Sequence, residues 1–281
     1  MTDGTGNRRG ELAVPDERRL DAVGRVRSSV GGSVSTVDVL APVVSVLVVV
    51  GGWTVLTAAI AIPAYLLPPP TAVFARLLEH PELFASHAVA TLERILIGGA
   101  VGIGGGFLLA LAVVAARPIR YALLPYMVLI RVLPKVAIAP ALVIAVGTGR
   151  LTAATFVALI AFFPMALSTI AGLDRPAPRY EELMRSVDAT RYSAWTVRMR
   201  FALPDVFAGL KQSVTLSVVG AVVAEWLIVD DGLGALVLLA AENLATDLML
   251  AALVVLIAGG LALYGLVAGL ERWLLWHEFP S

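Results

Sequence analysis

A charged segment decides the fold: PRYEELMRSVDAT occupies residues 178–190, and Leu203-Pro204 and Gly209-Leu210 follow it. Long hydrophobic runs flank this segment on both sides. A loop that only joined two membrane-spanning helices would need a few polar residues, whereas this one extends over 173–205 with helical periodicity. The pattern predicts a polar segment that docks on something outside the membrane.

Composition places the rest of the chain in a membrane. Hydrophobic residues make up 59% of the sequence and the mean hydropathy is +0.88, whereas a soluble domain is roughly 45–50% apolar. The runs 39–62, 95–116 and 248–270 hold few or no ionisable groups, and a helix needs about 20 apolar residues to cross the hydrocarbon core. We therefore predict an all-α membrane protein.

The remaining composition excludes several classes of function. The chain has no cysteine, which excludes disulfide frameworks and thiolate metal or catalytic sites. Its net charge is zero, so no general attraction to nucleic acid is expected. Residues 1–37 are polar and Arg-rich without a short apolar core, which argues against a signal peptide. This tail is interpreted as a disordered cytosolic extension or as a short amphipathic surface helix near Arg18–Arg27.

Residues 38–281 are predicted to form one transmembrane domain of six spans, at about 39–62, 94–116, 121–146, 151–172, 206–229 and 247–270. Orientation follows from basic residues in the loops. With the N-terminus inside, the outer face holds Arg76 and Arg150, and sixteen basic residues lie on the cytosolic face: Arg8, Arg9, Arg18, Arg19, Arg25, Arg27, Arg117, Arg120, Arg175, Arg179, Arg185, Arg191, Arg198, Arg200, Lys211 and Arg272. Both termini are therefore predicted to be cytoplasmic.

Two spans have unusual character. Gly98, Gly102 and Gly106 recur every four residues in the second span, which predicts a surface for close helix packing. The third span contains three prolines and two basic residues, and we expect the prolines to bend it. Its candidate pathway residues are Arg131, Pro134, Lys135 and Pro140. Arg131 and Lys135 either pair structurally or line the route of a polar or anionic solute.

Glu225 is the one clear acidic residue within a predicted span, near the end of the fifth hydrophobic run. Three interpretations are open. It is an outer-interface residue, a partner for Arg131 or Lys135, or a gate element.

Within the polar segment, Pro176 and Pro178 end the fourth span and a short helix can begin near Arg179. Two acidic residues suit its first turn, and an apolar ridge of Leu183 and Val187 could dock on a partner. Leu203-Pro204 is expected to break the chain before the fifth span. The candidate coupling residues are Glu181, Glu182, Leu183, Met184, Arg185, Val187, Asp188, Leu203 and Pro204.

This segment resembles the cytoplasmic loop of permeases from binding-protein-dependent ABC importers. That family has Glu-Ala-Ala, a Gly six residues after the Glu, and Leu-Pro about a dozen residues later. Here Glu182 takes the Glu position, Leu183 and Met184 replace the alanines, Asp188 replaces the Gly, and Leu203-Pro204 matches the Leu-Pro. The spacing from Asp188 to Pro204 is a few residues longer than in the family pattern.

The likeness extends over residues 65–277, and it is carried by short fragments in matching order. They are Leu67-Pro68-Pro69-Pro70, Thr91-Leu92-Glu93-Arg94, Arg131-x-x-Pro134-Lys135, Ala139-Pro140, Phe163-Pro164, Gly209-Leu210-Lys211, 220–225 and Gly232-Leu233-Gly234. Together they resemble the nitrate, taurine and alkanesulfonate branch, which also contains permeases assigned to thiamine-pyrimidine and riboflavin precursors.

The resemblance implies a six-helix type I ABC importer transmembrane domain with a cytoplasmic coupling helix, in a prokaryotic inner membrane. It further implies a homodimer in lipid, an extracytoplasmic solute-binding protein, and cytosolic ATPase subunits that grip residues 180–192 and use ATP-Mg. The chain itself should have no ATPase site, because Lys135 and Lys211 are not followed by Ser or Thr as a P-loop requires. It should also hold no cofactor or metal, and its three histidines, His80, His87 and His277, lack metal-ligand spacing.

Two other classes of membrane protein would require different sequence patterns. An ion-gradient-driven transporter would want acidic or His relays in several spans, and a membrane-embedded enzyme would want clustered catalytic groups at one depth. Neither pattern is evident. The solute stays open, since Arg131 and Lys135 favour an anion such as a sulfonate or nitrate and the apolar lining suits a flat heterocycle equally well.

Overall fold

The computed structural model describes residues 36–60, 62–132, 134–175, 186 and 190–278. These residues form nine α-helices and one 3-10 turn, Lys135–Ala137. The α-helices are α1 (Thr36–Ala59), α2 (Pro70–Glu79), α3 (Pro81–Ala115), α4 (Arg117–Val132), α5 (Ile138–Val146), α6 (Arg150–Asp174), α7 (Arg191–Leu227), α8 (Leu233–Glu242) and α9 (Thr246–Glu278). Residues 1–56 and 57–281 are separate units, and the account below concerns the second unit.

Four helices in the described part of the chain are long and apolar enough to cross a membrane: Pro81–Ala115, Arg150–Asp174, Trp195–Leu227 and Thr246–Leu275. They occupy the predicted second, fourth, fifth and sixth spans. Shorter apolar helices, Val43–Ala59 and Lys135–Val146, lie at the predicted first and third spans. The helices of the second and fifth spans begin well before their predicted starts, at Pro81 rather than near residue 94 and at Arg191 rather than near residue 206.

The third span is divided into two helices. Helix α4 ends at Val132, and the 3-10 turn and α5 follow Pro134. Pro134 has φ −66° and ψ 100°, an extended conformation that fits its fixed ring and missing N–H. Pro125 lies within α4 and Pro140 in the first turn of α5, where the missing N–H is tolerated.

The break predicted at Leu203-Pro204 is wrong. Helix α7 begins at Arg191 and runs to Leu227 with Pro204 inside it. The Thr190 hydroxyl caps its start by accepting a hydrogen bond from the Ser193 N–H at 3.2 Å. An internal proline costs about 3 kcal/mol, and close packing against α6 on both sides of Pro204 offsets that cost. The second half of the predicted 173–205 loop is therefore helix.

Glycines set the packing of the bundle. A Cβ on Gly98 would lie 2.5 Å from the Ala154 carbonyl oxygen, and Cβ atoms on Gly102 and Gly106 would clash with the carbonyls of Ala158 and Phe162. Because both series advance by four residues in the same direction, α3 and α6 run parallel with their backbones in close approach. The candidate packing residues thus lie on the α6 side of α3.

Helix α7 runs antiparallel to α6. Gly172 lies against Ala202 and Asp205, Gly209 against Pro164 and Ser168, and Gly220 against Ile160. Helix α9 is antiparallel to α7, since Lys211 Nζ lies 2.7 Å from Glu271 Oε2 and Gly260 is near Val218.

These directions give the bundle two ends. We call the end with Thr91, Arg94, Arg150, Glu225 and α8 the Glu225 end. The end with Arg120, Asp174, Arg175, Arg198 and Lys211 is the Asp174 end. The predicted outer loops also contain two short helices, α2 and α8, that were not predicted from the sequence.

Candidate functional site

A buried ion pair lies at the Glu225 end. Arg94 on α3 is 3% exposed, and its Nη1 donates to Glu225 Oε1 on α7 at 2.8 Å. The same atom donates to the Asp231 carbonyl at 3.0 Å, and Nη2 pairs with the Asp231 carboxylate. One guanidinium therefore joins α3, α7 and the loop that leads to α8.

Glu225 also binds the start of α8. Its Oε2 accepts the Gly234 N–H at 2.7 Å, and the Thr91 hydroxyl accepts the Leu233 N–H at 2.8 Å. Trp226 Nε1 donates to the Gly234 carbonyl at 2.9 Å. The first N–H groups of a helix lack partners within it and carry partial positive charge. A carboxylate and a hydroxyl from neighbouring helices supply those partners here.

Gly232 makes this geometry possible. Its φ is +106°, in a region where side chains with a Cβ are strained. A Cβ there would collide with the Glu225 carboxylate. His87 Nδ1 lies 2.9 Å from the Gly232 carbonyl oxygen and 3.1 Å from its nitrogen, so the turn is also held from α3.

The structure gives Glu225 a partner that the sequence reading did not consider. That partner is Arg94, 131 residues away, and the side chain of Arg131, one of the predicted partners, lies outside the described residues. The signal available in the sequence was Arg94 at the start of a hydrophobic run, a charge that needs an opposite charge at the same depth. The bond between Arg94 and Asp231 was not predicted either.

In the part of the chain that the structure describes, none of the bonds of this network involves Pro134, Lys135 or Pro140 of the third span. Lys135 is half-buried at the 3-10 turn, and Pro134 and Pro140 are exposed. The side chain of Arg131 lies outside the described residues. Whether these residues face a solute stays a prediction.

A surface cavity of about 540 Å³ opens at the Glu225 end. It is lined by Thr148, Gly149 and Arg150 from the turn before α6 and by residues 226–231 after α7. Its volume falls in the range of about 300–1,000 Å³ that is usual for small-molecule pockets. The buried ion pair therefore supports one wall of a cavity large enough for a small solute.

A second polar network occupies the Asp174 end. Arg120 at the start of α4 donates from Nη1 and Nη2 to the two carboxylate oxygens of Asp174 at 2.8 and 2.7 Å. Arg198 on α7 donates from Nε to the Leu173 carbonyl at 2.6 Å and lies 3.8 Å from Asp174 Oδ1. Asp174 thus joins the ends of α4, α6 and α7.

Two of the coupling candidates, Leu203 and Pro204, lie on α7 between Arg198 and Asp205. Leu203 is half-buried and Pro204 exposed on α7. Arg175 lies 3.0 Å from Asp205, one residue after Pro204. Glu181, Glu182, Leu183, Met184, Arg185, Val187 and Asp188 lie outside the described residues, so their role stays a prediction.

Long apolar helices with a small cavity at one end and charged networks at both ends define a multi-pass membrane protein of the transport class. A family model described as "Binding-protein-dependent transport system inner membrane component" matches residues 102–276, more than half of the chain. This chain belongs to that family.

The relatives agree with this assignment. The chain is 32% identical to a probable ABC transporter permease protein of Haemophilus influenzae, over 85% of this chain and 98% of the relative. It is 36% identical to the formylaminopyrimidine transport permease protein ThiX of Halalkalibacterium halodurans, over 60% and 69%. It is 32% identical to the taurine transport system permease protein TauC of Escherichia coli, over 69% and 73%.

The resemblance inferred from the sequence is confirmed. The chain is a permease subunit of a binding-protein-dependent ABC importer, with the all-α type I importer transmembrane fold. None of the named relatives is described as an ion-gradient-driven carrier.

Proposed function

We propose that this chain forms the translocation pathway of an importer that is powered by a separate cytosolic ATPase, which grips residues 180–192, at and just after the segment 176–189 between α6 and α7. The observation that carries the proposal is the Asp174 network. Asp174 lies on α6 shortly before that segment, and Arg198 binds the same point from α7, the helix that follows the segment. A force applied to the segment would therefore act on two helices whose ends are bonded to each other.

The distribution of charge supports the orientation. Arg117, Arg120, Arg175, Arg198, Arg200, Lys211 and Arg272 lie towards the Asp174 end, and Arg76, Arg94 and Arg150 towards the other. Basic residues favour the cytoplasmic side, so we assign the Asp174 end and both termini to the cytoplasm. The Glu225 end would then face the binding protein, and two copies of the chain would enclose the pathway. Neither nucleic acid nor a cofactor on this chain is part of the proposal.

For the solute we propose a small organic molecule delivered by the binding protein, either a sulfonate or a vitamin-precursor heterocycle. Relatives are named for formylaminopyrimidine, riboflavin and taurine transport. The cavity at the Glu225 end is of suitable size for either class. Binding of taurine, an alkanesulfonate, a formylaminopyrimidine and riboflavin to the partner binding protein would choose between them.

The central test is purification of the chain from its native membranes with the co-purifying proteins counted. We expect a stoichiometric P-loop ATPase, lost or uncoupled in Glu182→Lys and in Leu183→Asp while the variant chains remain in the membrane. Wild-type coupling in both variants would refute the assignment of the segment.

Topology has a separate test. Because the chain has no cysteine, Ser186→Cys and Asp231→Cys each provide a single labelling site. A membrane-impermeant maleimide should label intact cells at position 231 and not at 186. Labelling of position 186 from outside would overturn the orientation.

A further inference from the structure

Helix α4 is the element through which a coupling movement would have to reach the broken span. It is 16 residues long, or about 24 Å at 1.5 Å per residue. It begins at the Asp174 end and ends immediately before the break at residues 133–134. Pro134 lacks the N–H that would continue the helical hydrogen bonds from α4 into α5, so the two helices are not joined by an unbroken set of such bonds.

Two kinds of contact hold the described side chains of α4. Met127 is buried in a cluster with Ala110 and Val113 of α3 and with Ala166 and Ile170 of α6, and Leu123 packs against that cluster. These contacts are apolar and non-directional. The directed bond in the described part of this helix is the Arg120 fork on Asp174, with both N–H···O distances below 3 Å. Bidentate pairs of this kind fix orientation as well as distance.

Asp174 is also the last helical residue before the segment that the proposed ATPase would move. We infer that the Arg120–Asp174 fork is a positioning pair that transmits movement of the segment 176–189 to α4, and through α4 to the break at Pro134. The inference rests on the proposed function, because it needs a partner that moves this segment.

A neighbouring ion pair provides a matched control. Arg175 is closer to the segment than Asp174, and its Nη2 lies 3.0 Å from Asp205 on α7. Helices α6 and α7 already touch there through Gly172 and Ala202. Loss of the Arg175 charge should therefore leave the link between these two helices intact, and it does not involve α4.

The test follows the two moving parts separately in the complete complex, reconstituted in nanodiscs with its ATPase. Ser186→Cys reports on the segment, and Tyr126→Cys, on the membrane-embedded helix α4, reports on the helix. Each single cysteine carries a nitroxide spin label, whose mobility is measured without nucleotide and after trapping with ATP-Mg and vanadate. In an otherwise wild-type chain, trapping should change the label mobility at both positions.

With Arg120→Gln, the change at position 186 should persist and the change at position 126 should shrink by about fivefold or more, the usual lower range of a coupling between two sites. Arg120→Lys should also fail, because an ammonium cannot form the fork. Arg175→Gln should behave as wild type. Exchange of the charges in Arg120→Asp/Asp174→Arg should restore part of the response at position 126.

A full response at position 126 in Arg120→Gln would overturn the inference. So would loss of complex assembly in Arg120→Gln that the charge exchange does not repair, because the pair would then be structural. Failure of the proposed function looks different, since position 186 of the wild-type chain would not respond to trapping or no ATPase would co-purify.

Discussion

Replacing Arg94 with methionine should be the most damaging single change at the Glu225 end. Methionine fills a similar volume but offers no donor, so the Glu225 carboxylate keeps the Gly234 N–H and loses its counter-charge. Removing one partner of a buried ion pair typically costs about 3–5 kcal/mol. The estimate applies because Arg94 is 3% and the Glu225 side chain 0% exposed, so water cannot replace the lost partner.

Two comparisons isolate the cause. Glu225→Gln still accepts the Gly234 N–H and leaves Arg94 with Asp231, so we expect a loss of about 1–3 kcal/mol. The double variant should lose less than the sum of the single ones, because the unpaired carboxylate is gone. Arg150→Gln is the control. Its side chain is 71% exposed and 3.7 Å from Glu93, and such surface pairs contribute about 0–1 kcal/mol.

The assay is thermal unfolding of the purified protein in detergent, followed by tryptophan fluorescence and by the fraction that remains monodisperse after heating. On the scale of soluble domains, the Arg94→Met loss corresponds to a drop in Tm on the order of 10 °C. A Tm for Arg94→Met no lower than that of Arg150→Gln would refute the reasoning, since the pair would then contribute no more than a surface contact.

Three further changes have defined outcomes. Gly102→Val should prevent close approach of α3 and α6 and abolish recovery of monodisperse protein. Gly104→Ala, with no neighbour within 4 Å of its added Cβ, should be recovered normally. Equal recovery of both variants would contradict the packing. Gly232→Ala should lower stability by about 1–3 kcal/mol because of its positive φ and the Glu225 carboxylate, and an unchanged Tm would show that the turn can rearrange. Lys211→Glu should lower the Tm, and the added change Glu271→Lys should restore it, because the charged atoms of Lys211 and Glu271 lie 2.7 Å apart and are partly buried. Absence of rescue would mean that this ion pair does not contribute to stability.

The sequence predicted elements whose signals are local. The fourth span was expected at 151–172 and the helix is Arg150–Asp174, because a Gly-rich turn and a charged residue bound one apolar run. The expected break at Pro204 failed, because a proline weakens a helix locally and packing against α6 over a long surface keeps it intact.

Local sequence patterns could not predict the hydrogen bonds and ion pairs of the candidate site. The pairing of Arg94 with Glu225 joins residues on different helices, and its partner set includes backbone N–H groups that no residue type reveals. Helix α8 was missed because its ten residues, although apolar, are too few to cross a membrane and fall within the loop predicted between two spans. In the sequence, Asp174 is only an acidic residue at the end of the fourth span. Its bidentate ion pair with Arg120 depends on where α4 begins.

The side-chain partners at the start of α8 bear on the order in which the protein is made. Arg94 is synthesised 131 residues before Glu225. Until Glu225 has been made, the nascent helix α3 therefore carries a charge without its partner. Arg94 lies within the first half of α3, where its long side chain can extend to the membrane surface until Glu225 is available for pairing. Helix α8 has no independent means of satisfying its first N–H groups, so we expect it to settle only after α3 and α7 are side by side.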